Sequence, residues 1–415
     1  MPLPGVRTVL KDQFRTVSRS QIPDGVRVAG VARRNNSPEA EGAADDYAIR
    51  RISSEENVVD YFGEHSEAHR CYLDLVSGGA ARVWIVGLPR DLENSELGDE
   101  EVLEEVFGQT EANDIDIVAF HGRGWHPYDD DRDEEGYPDK DAPEYGFAAD
   151  GGDGNLVDSI ASWCETVSMR SNPCFAVLGV APASHDRKDV PVSDLKEHLK
   201  FENLPERSEI SSYVSVIATE VLPVNRFSEE EAKDAADDFQ DNKHGAHYFT
   251  NGAAMYAGLI ASLDAEQAPT GRTMFNVDGM RWVPTRTQAA DMIEKGLVPL
   301  GLNQNRTPRV IDGQTFGKDD SDYRRLSTLR IVFDAIQLTR RAAEKFVGEP
   351  ATLHNRNALE TDITSKLRGM VVNGALVEAD FDVEYLPREN RALVELVLTP
   401  AFEFRNIDVK IAIDL

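Results

Sequence analysis

The sequence is poor in cysteine and has no long uninterrupted hydrophobic run. Its 3 cysteines in 415 residues cannot form a disulfide framework, and there is no Cys-x-x-Cys pair of the kind that binds zinc. No stretch of 18 uncharged apolar residues is present, so we expect no membrane insertion. The segment Met1–Gly5 lacks the apolar run of a secretory signal, which predicts a soluble protein made inside the cell.

The sequence also lacks the common catalytic and phosphate-binding motifs. It contains no Gly-x-x-x-x-Gly-Lys loop, no Gly-x-Gly-x-x-Gly after a strand, no His-Glu-x-x-His and no Gly-x-Ser-x-Gly. One pair could form a catalytic dyad, since His121 ends one predicted strand and Cys174 begins another, in the chain order of caspase-like peptidases. The residues before this cysteine are Asn-Pro and not the Gln-Ala of those enzymes. We therefore expect no enzyme, no cofactor and no bound metal, with an α/β cysteine-peptidase-like enzyme as the alternative.

Negative charge is concentrated in one part of the chain. The 74 acidic residues outnumber the 44 basic residues and give a net charge of −30. Residues 91–241 hold 39 of the acidic residues and 11 of the basic ones, a net of −28, whereas residues 1–34 carry 7 basic and 2 acidic groups. Such a chain is not expected to bind nucleic acid over a broad surface.

Lysine is scarce among the basic residues. It supplies 12 of the 44, and aspartate supplies 39 of the 74 acidic residues. This composition indicates a solvated acidic surface or, as a sharper hypothesis, a halophilic protein whose dense carboxylates are screened by salt.

Short apolar runs that alternate with helical patterns predict the fold class. Four strands are predicted, at Ala81–Gly87, Ile115–Phe120, Phe175–Val180 and Tyr213–Val221. A predicted helix at Asn155–Thr166 lies between the second and the third of them. The alternation predicts an α/β fold, α+β overall, with a mixed sheet covered by helices. We divide the chain into four parts: an N-terminal extended arm at 1–24, an acidic α/β domain at 25–235, an α+β core domain at 236–398, and a C-terminal β-strand arm at 399–415.

The second half of the chain shows clear helical periodicity and then a hairpin pattern. The predicted helices are Asn251–Leu263, which is rich in small residues that let another backbone approach, one capped by Thr287, a long one at Ser321–Val347, and Asn357–Met370. From Phe381 to Leu398, apolar residues alternate with others on both sides of a turn at Pro387–Asn390, which predicts two antiparallel strands.

Both tips of the chain alternate in the same way. Apolar or β-branched residues recur every second position near each tip, at Val6, Thr8, Leu10, Val409, Ile411 and Ile413. A strand with one apolar face must pair with another strand.

A series of short motifs follows the order found in a known family. The motifs are Pro4-Gly5-Val6, the strand–helix–strand of Ile115–Phe120, Leu156–Cys164 and Phe175–Leu178, then Ala257–Asp264, Gly301–Asn303, Gly313–Gly317, Arg324–Leu326, Phe346–Pro350 and Gly374–Leu376. In this order the chain resembles the contractile tail sheath proteins of head-tailed viruses, which are related to the sheaths of type VI secretion and other contractile injection systems. It departs from the family pattern at Lys318-Asp319 and lacks a tryptophan before Gly317.

The resemblance implies a structural subunit of a virion tail sheath, made in the host cytoplasm. Such a subunit polymerises helically, in stacked hexameric rings, around a tail tube and contracts to drive the tube through the host envelope for genome delivery. The implied partners are other copies of the chain, the tail tube protein, and the baseplate and tail terminator proteins. The alternatives are the sheath of a cellular contractile injection system and a non-contractile capsid or baseplate component.

The resemblance also implies that the acidic α/β domain at 25–235, with its mixed sheet, is the outer, outward-facing part of the subunit. It further implies roles for particular residues. The two tips would exchange strands between subunits through Val6, Thr8 and Leu10 and through Val409, Ile411 and Ile413, and the Phe381–Leu398 hairpin would belong to the receiving sheet. The long helix would face the tube with its arginines, which are Arg324, Arg325, Arg330, Arg340 and Arg341.

Overall fold

A computed structural model describes residues 25–35, 43–64, 66–90, 92, 99–121, 156–179, 207–219, 221–223, 251–280, 283–401 and 403. Within this part of the chain the strands are β1 (Val28–Arg33), β2 (Ile49–Ile52), β3 (Val83–Leu88), β4 (Ile117–Phe120), β5 (Phe175–Gly179), β6 (Val214–Ile217), β7 (Val221–Pro223), β8 (Val277–Met280), β9 (Leu297–Val298), β10 (Leu300–Leu302), β11 (Pro308–Val310), β12 (Leu376–Leu386) and β13 (Arg391–Pro400). The α-helices are α1 (Glu55–Phe62), α2 (Glu67–Gly78), α3 (Glu100–Ala112), α4 (Leu156–Arg170), α5 (Ala253–Ser262), α6 (Arg286–Glu294), α7 (Leu326–Glu344) and α8 (Leu353–Val372).

A seven-stranded sheet organises the first two thirds of the fold. Its strand order is β2-β3-β1-β4-β5-β6-β9, with β2 antiparallel to β3 and every other neighbouring pair parallel. All residues of β4, β5 and β6 are buried, as expected of parallel strands covered on both faces. The predicted mixed α/β sheet is therefore confirmed.

Two helices cross closely on this sheet. α2 and α5 pack against each other and against strands of the sheet, and glycine at Gly78 and Gly258 lets their backbones approach. α4 packs on β5 and β6 and against α3. The prediction that the small residues of α5 accommodate another backbone is confirmed.

The C-terminal half of the chain shares the core of the N-terminal half. β9 is the last strand of the seven-stranded sheet, and one hydrophobic cluster runs from Val28 to Leu398. In α7, Phe333 lies 6.4 Å from Phe175 and 5.8 Å from Tyr213 between ring centroids, so α7 crosses the edge at which β5 and β6 begin. The predicted boundary at residue 235 therefore does not separate two cores.

Several predicted element boundaries need correction. The predicted strand Tyr213–Val221 is a 3-10 turn at Ile210–Tyr213 followed by β6 and β7. The cap of α6 is Thr285 and not Thr287, because Thr285 and Gln288 form a reciprocal capping box. α7 begins only at Leu326, after a 3-10 turn at Asp322–Arg324, and α8 begins four residues earlier than predicted.

The described residues contain no helix long and apolar enough to cross a membrane. Within the same ranges, no three His, Cys, Asp or Glu side chains come together in a group that could hold a metal ion.

Candidate assembly interface

A long β-hairpin follows α8 and forms a sheet of its own. β12 has 11 residues and β13 has 10, and they pair antiparallel from Leu376–Pro400 to Leu386–Arg391. The predicted hairpin and its turn at Pro387–Asn390 are confirmed, with Asn390 in the left-handed region at φ 51°. Among the described residues no third strand pairs with the outer edge of β12 or of β13, although the Phe381 amide of β12 donates to Asp380 Oδ1 at 2.9 Å.

One face of this hairpin packs against two helices. β12 contacts α8 and β13 contacts α7, and the residues on this inner face include Phe381, Val383, Val394 and Leu396, which are partly buried against the core. Leu398 is buried completely. The helices thus hold the hairpin in place, and its inner apolar face continues to both edges.

Tyr385 fixes the tip of the hairpin to α8. Its hydroxyl donates a hydrogen bond to Glu360 Oε1 at 3.0 Å, and the Arg356 guanidinium lies 4.3 Å from the centre of its ring. Partial desolvation and, second, the hydrogen bond to Glu360 raise the pKa of Tyr385 to about 12. The tip of an 11-residue strand is therefore anchored, although its edges are open.

The opposite, outer face of β12 is strongly acidic. Four exposed carboxylates occupy alternate positions there, and we call them the acidic column: Glu378, Asp380, Asp382 and Glu384. Their cross-strand neighbours on β13 are Thr399, Val397, Glu395 and Leu393. Within the described part of the chain no basic side chain pairs with these four carboxylates.

A second anchor lies just beyond β13. The Ser327 hydroxyl, in the first turn of α7, donates to Glu403 Oε2 at 3.0 Å. Burial raises the pKa of the Glu403 carboxyl above its ordinary value. Glu403 thus fixes the chain to the start of α7 within the first residues of the predicted C-terminal arm at 399–415.

The predicted tube-facing arginines lie on a helix that is mostly interior. Fifteen of the 19 residues of α7 are buried. Arg330 donates to the carbonyl oxygens of Leu263 at 2.6 Å and Asp264 at 3.2 Å, beyond the last residue of α5. Arg340 donates to Ser168 O at 2.6 Å and Met169 O at 3.3 Å, in the last turn of α4.

These two arginines therefore serve the fold of the subunit. Carbonyls at helix C-termini lack helical partners and carry partial negative charge, which a guanidinium satisfies. Burial lowers the pKa of Arg330, and it lowers the pKa of Arg340 to about 10, so Arg340 remains cationic at neutral pH. The prediction that they face a tube does not fit their burial.

The other three predicted arginines lie nearer the surface. Arg324 pairs with Asp319 and donates to Ile293 O at 3.0 Å, and Arg325 pairs with Asp312 at 3.3 Å. Arg341 is only half-buried, at the end of α7. A tube contact for these three stays a prediction.

The structure places His121 and Cys174 at opposite ends of their strands. β4 and β5 are parallel with Ile117 opposite Phe175, so Cys174 is level with residue 116 and His121 lies five positions further along. At ~3.3 Å per residue this separation is about 16 Å. His121 Nε2 lies 3.0 Å from Asp74 Oδ2 in a buried pair, and Cys174 is fully buried. The alternative of a catalytic dyad of His121 and Cys174 is therefore wrong.

The six residues predicted to exchange strands lie outside the described residues: Val6, Thr8, Leu10, Val409, Ile411 and Ile413. Sequence reasoning missed the anchoring residues Tyr385 and Glu403. A tyrosine within an alternating apolar row could have been noticed as a residue with a polar end, whereas nothing local distinguishes Glu403.

Comparison with known proteins gives a consistent result at the level of fold. No family model matches, and no curated relative matches. Among solved structures, a chain of the anti-feeding prophage baseplate is 16% identical with a TM-score of 0.63, and each chain is covered over 100% of its length. The contracted helical sheath of the same prophage is also 16% identical, with a TM-score of 0.60 and 100% coverage of both chains.

A bacterial tail protein shows a similar likeness in fold. The sheath tail protein of Listeria innocua is 13% identical with a TM-score of 0.58, over 93% of this chain and 94% of that one. These identities are low, but the likeness extends over nearly the whole of each chain. The chain therefore has the fold of contractile sheath proteins, as the sequence motifs implied.

Proposed function

We propose that the chain is the structural subunit of a contractile tail sheath, and not an enzyme. The observation that carries the proposal is the β12–β13 hairpin, which is long, anchored to α7 and α8 by one face, and free at both edges among the described residues. A two-stranded sheet is marginal alone, and free edges are templates for another strand. A helical polymer whose subunits exchange strands uses both edges in every copy.

The two chain tips are the proposed donors. The apolar alternation of Val6, Thr8 and Leu10 and of Val409, Ile411 and Ile413 matches the inner face of the hairpin, so each tip can extend that face on a neighbouring copy. The covalent connection of each arm to its own subunit lets bodies rotate and slide during contraction while neighbours stay attached. The 6-fold symmetry of the anti-feeding prophage baseplate supports the hexameric rings of the proposed assembly.

Electron microscopy of the purified protein tests this function. We expect tubes, and we expect deletion of residues 407–415 to abolish them while the melting temperature changes little, because the hairpin is anchored within its own subunit. Ile411→Asp should have the same effect, whereas Ala412→Asp, on the other face of the same strand, is the matched control. A wild-type protein that stays a small oligomer under all conditions would contradict the proposal.

The second candidate is the sheath of a cellular contractile injection system. It is favoured by the likeness to the contracted sheath complex of an extracellular contractile injection system, 12% identical with a TM-score of 0.61 over 100% of this chain and 98% of that one. The neighbouring reading frames distinguish the two, because genes for a capsid and a portal would accompany a viral tail. For a viral sheath, the proposed partners are the tail tube, baseplate and tail terminator proteins.

A further inference from the structure

A cleft with a volume of about 160 Å³ lies where α7 crosses the ends at which β1, β4 and β5 begin. Its walls are the residues at or just before the start of each strand, the segment 261–265 at the end of α5, and the face of α7 that carries Arg330, Phe333, Asp334 and Gln337. None of its lining residues in the described part of the chain belongs to β12 or β13. The cleft is therefore separate from the hairpin on which the proposed function depends.

Gln337 presents a buried acceptor to this cleft. It is 5% exposed, and its Nε2 donates to Asp116 Oδ1 at 3.3 Å and to Asn172 Oδ1. Asn172 is itself oriented by its Nδ2, which donates to Asp116 Oδ1 at 2.6 Å, so Asn172 Oδ1 can only accept and the Gln337 amide must turn Nε2 toward it. Gln337 Oε1 has no hydrogen-bond partner among the described residues. A buried acceptor of this kind is destabilising until a donor reaches it.

The donors along the described lining are already engaged. The Arg330 guanidinium donates through both terminal nitrogens to three main-chain carbonyl oxygens of the segment 263–267. The Ser262 hydroxyl donates to Leu259 O at 2.7 Å. An anion would therefore find these donors occupied, whereas a group that carries donors would find an open acceptor.

The charge around the cleft is negative. Three carboxylates line it, those of Asp116, Asp264 and Asp334. Arg330 is the guanidinium among the described lining residues, and Arg27 pairs with Asp116 at 3.4 Å, so acidic groups outnumber basic ones even when both arginines are counted. Asp334 precedes Gln337 by three residues in α7, which places the two side chains on one face of the helix.

Apolar side chains form much of the remaining wall. Ile117, Phe175 and Phe333 are buried there. An alkyl chain gains free energy when it leaves water for such a surface. The volume is enough for several water molecules or for a ligand of about five to eight non-hydrogen atoms.

We propose that the cleft binds a guanidinium or primary ammonium group on a short alkyl stem, with Gln337 Oε1 accepting one of its hydrogen bonds and Asp334 supplying the opposite charge. Both groups carry several donors and no acceptor, which matches the polar lining. The same chemistry occurs in free alkylamines and in the lysine and arginine side chains of another copy of the chain. The inference does not depend on the proposed function, because one subunit supplies all the lining residues named above.

Isothermal titration calorimetry of the dissociated full-length subunit with butylguanidinium and butylammonium tests the proposal. We expect saturable binding at or below about 10 mM, the range that the ordinary binding efficiency of a ligand of this size allows. Tetramethylammonium is the control ligand, because it carries the charge without a donor and a protein with a net charge of −30 attracts any cation. Its binding should not saturate in the same range.

Two variants locate the binding. Gln337→Met should weaken the binding of butylguanidinium by about tenfold, because it removes the acceptor and keeps the length of the side chain. Ala261→Leu should abolish binding, since Ala261 is partly exposed at the cleft and the larger side chain would occupy its volume. Asp380→Asn, in the acidic column, is the matched control and should leave the affinity unchanged.

Urea unfolding of each variant checks that it is folded, and Ala261→Leu, which removes no hydrogen-bonding group, decides the question if Gln337→Met unfolds. An absence of saturable binding, equal binding of tetramethylammonium, or an affinity that Ala261→Leu leaves unchanged would overturn the proposal and show that the cleft holds only water.

The assembled polymer distinguishes the two sources of the bound group. If the group belongs to a free amine, butylguanidinium should bind the polymer and the dissociated subunit equally. If it belongs to a side chain of another copy, the polymer should exclude butylguanidinium and Ala261→Leu should weaken assembly. Either result supports the cleft as a site for such a cation, whereas a failure to form tubes would count against the proposed function alone.

Discussion

Gly78 and Gly258 face each other where α2 crosses α5, with no room for a side chain on either. A Cβ atom on Gly258 would lie 2.2 Å from the Leu75 carbonyl oxygen, and one on Gly78 would lie 2.9 Å from the Gly258 Cα. Both obstacles are backbone atoms, which cannot turn away as a side chain can. The crossing therefore depends on glycine at both positions.

Gly258→Ala should lower the free energy of unfolding by about 3 kcal/mol, because the two helices must separate to admit the methyl group. Gly108→Ala is the matched control, since Gly108 lies within α3 and has no atom within 4 Å of the added Cβ. That change should raise stability by about 0.5–1 kcal/mol through the ordinary helix preference for alanine. Chemical denaturation measures both, and an equal effect at the two sites would contradict the close crossing.

Arg340→Met should destabilise the isolated subunit by about 2–3 kcal/mol, because it leaves the Ser168 carbonyl without its charged donor while keeping an apolar stem. Its neighbour Arg341→Gln should change stability by no more than about 0.5 kcal/mol. Thermal or urea unfolding of the free subunit measures the difference. If Arg340→Met left stability unchanged and weakened only assembly, the internal role assigned to Arg340 would be wrong.

The three thiols should be unreactive in the folded protein. Cys71, Cys164 and Cys174 are buried, and burial raises the thiol pKa of Cys71 and Cys164 well above its ordinary value. Reaction with a coloured disulfide reagent should therefore label none of them under native conditions and all 3 in denaturant. A rapidly labelled Cys174 in the native protein would contradict the burial of this side chain.

Ionisation of Tyr385 should lower the free energy of unfolding as the pH rises above 10. Its folded pKa of about 12 exceeds the ordinary value of 10.0, so the folded protein binds this proton more tightly than the unfolded chain. The stabilisation is complete below pH 10 and is lost as the pH rises through 12. Tyr385→Phe should flatten the fall of the unfolding free energy across that range.

Glu360→Gln should have an intermediate effect on the pH dependence of the unfolding free energy. It removes the carboxylate that accepts the Tyr385 hydrogen bond but leaves the partial burial of the ring, which is the larger cause of the raised pKa. Its slope should therefore lie between those of the wild type and Tyr385→Phe. Identical slopes in all three proteins would show that Tyr385 titrates as an ordinary exposed tyrosine.

Local sequence patterns predicted the elements whose partners are themselves local. The alternation through Phe381 and Val383 gave the hairpin, because period-two spacing exposes one face of a strand and buries the other. The Thr285–Gln288 capping box is equally local, and the predicted cap, Thr287, is instead the second residue of α6.

Long-range partners could not be predicted in this way. Arg330 and Arg340 read as surface arginines of an amphipathic helix, but they contact main-chain carbonyls 67 and 172 residues away along the chain. Every helix ends in carbonyl oxygens that need a hydrogen-bond donor. The sequence therefore does not show which of these oxygens a given arginine contacts. The two-residue strand β9 was missed for a similar reason, since its pairing with β6 decides its conformation.

In the proposed sheath, strands from other copies cover the edges of the β12–β13 hairpin. Amide hydrogen exchange, compared between the dissociated subunit and the assembled polymer, measures this most directly, because an edge amide exchanges slowly only when it donates to a partner strand. We expect much slower exchange in the assembled state over residues 376–386 and 391–400, with little change in the buried strands β4 and β5. Equal exchange of the hairpin amides in both states would contradict it.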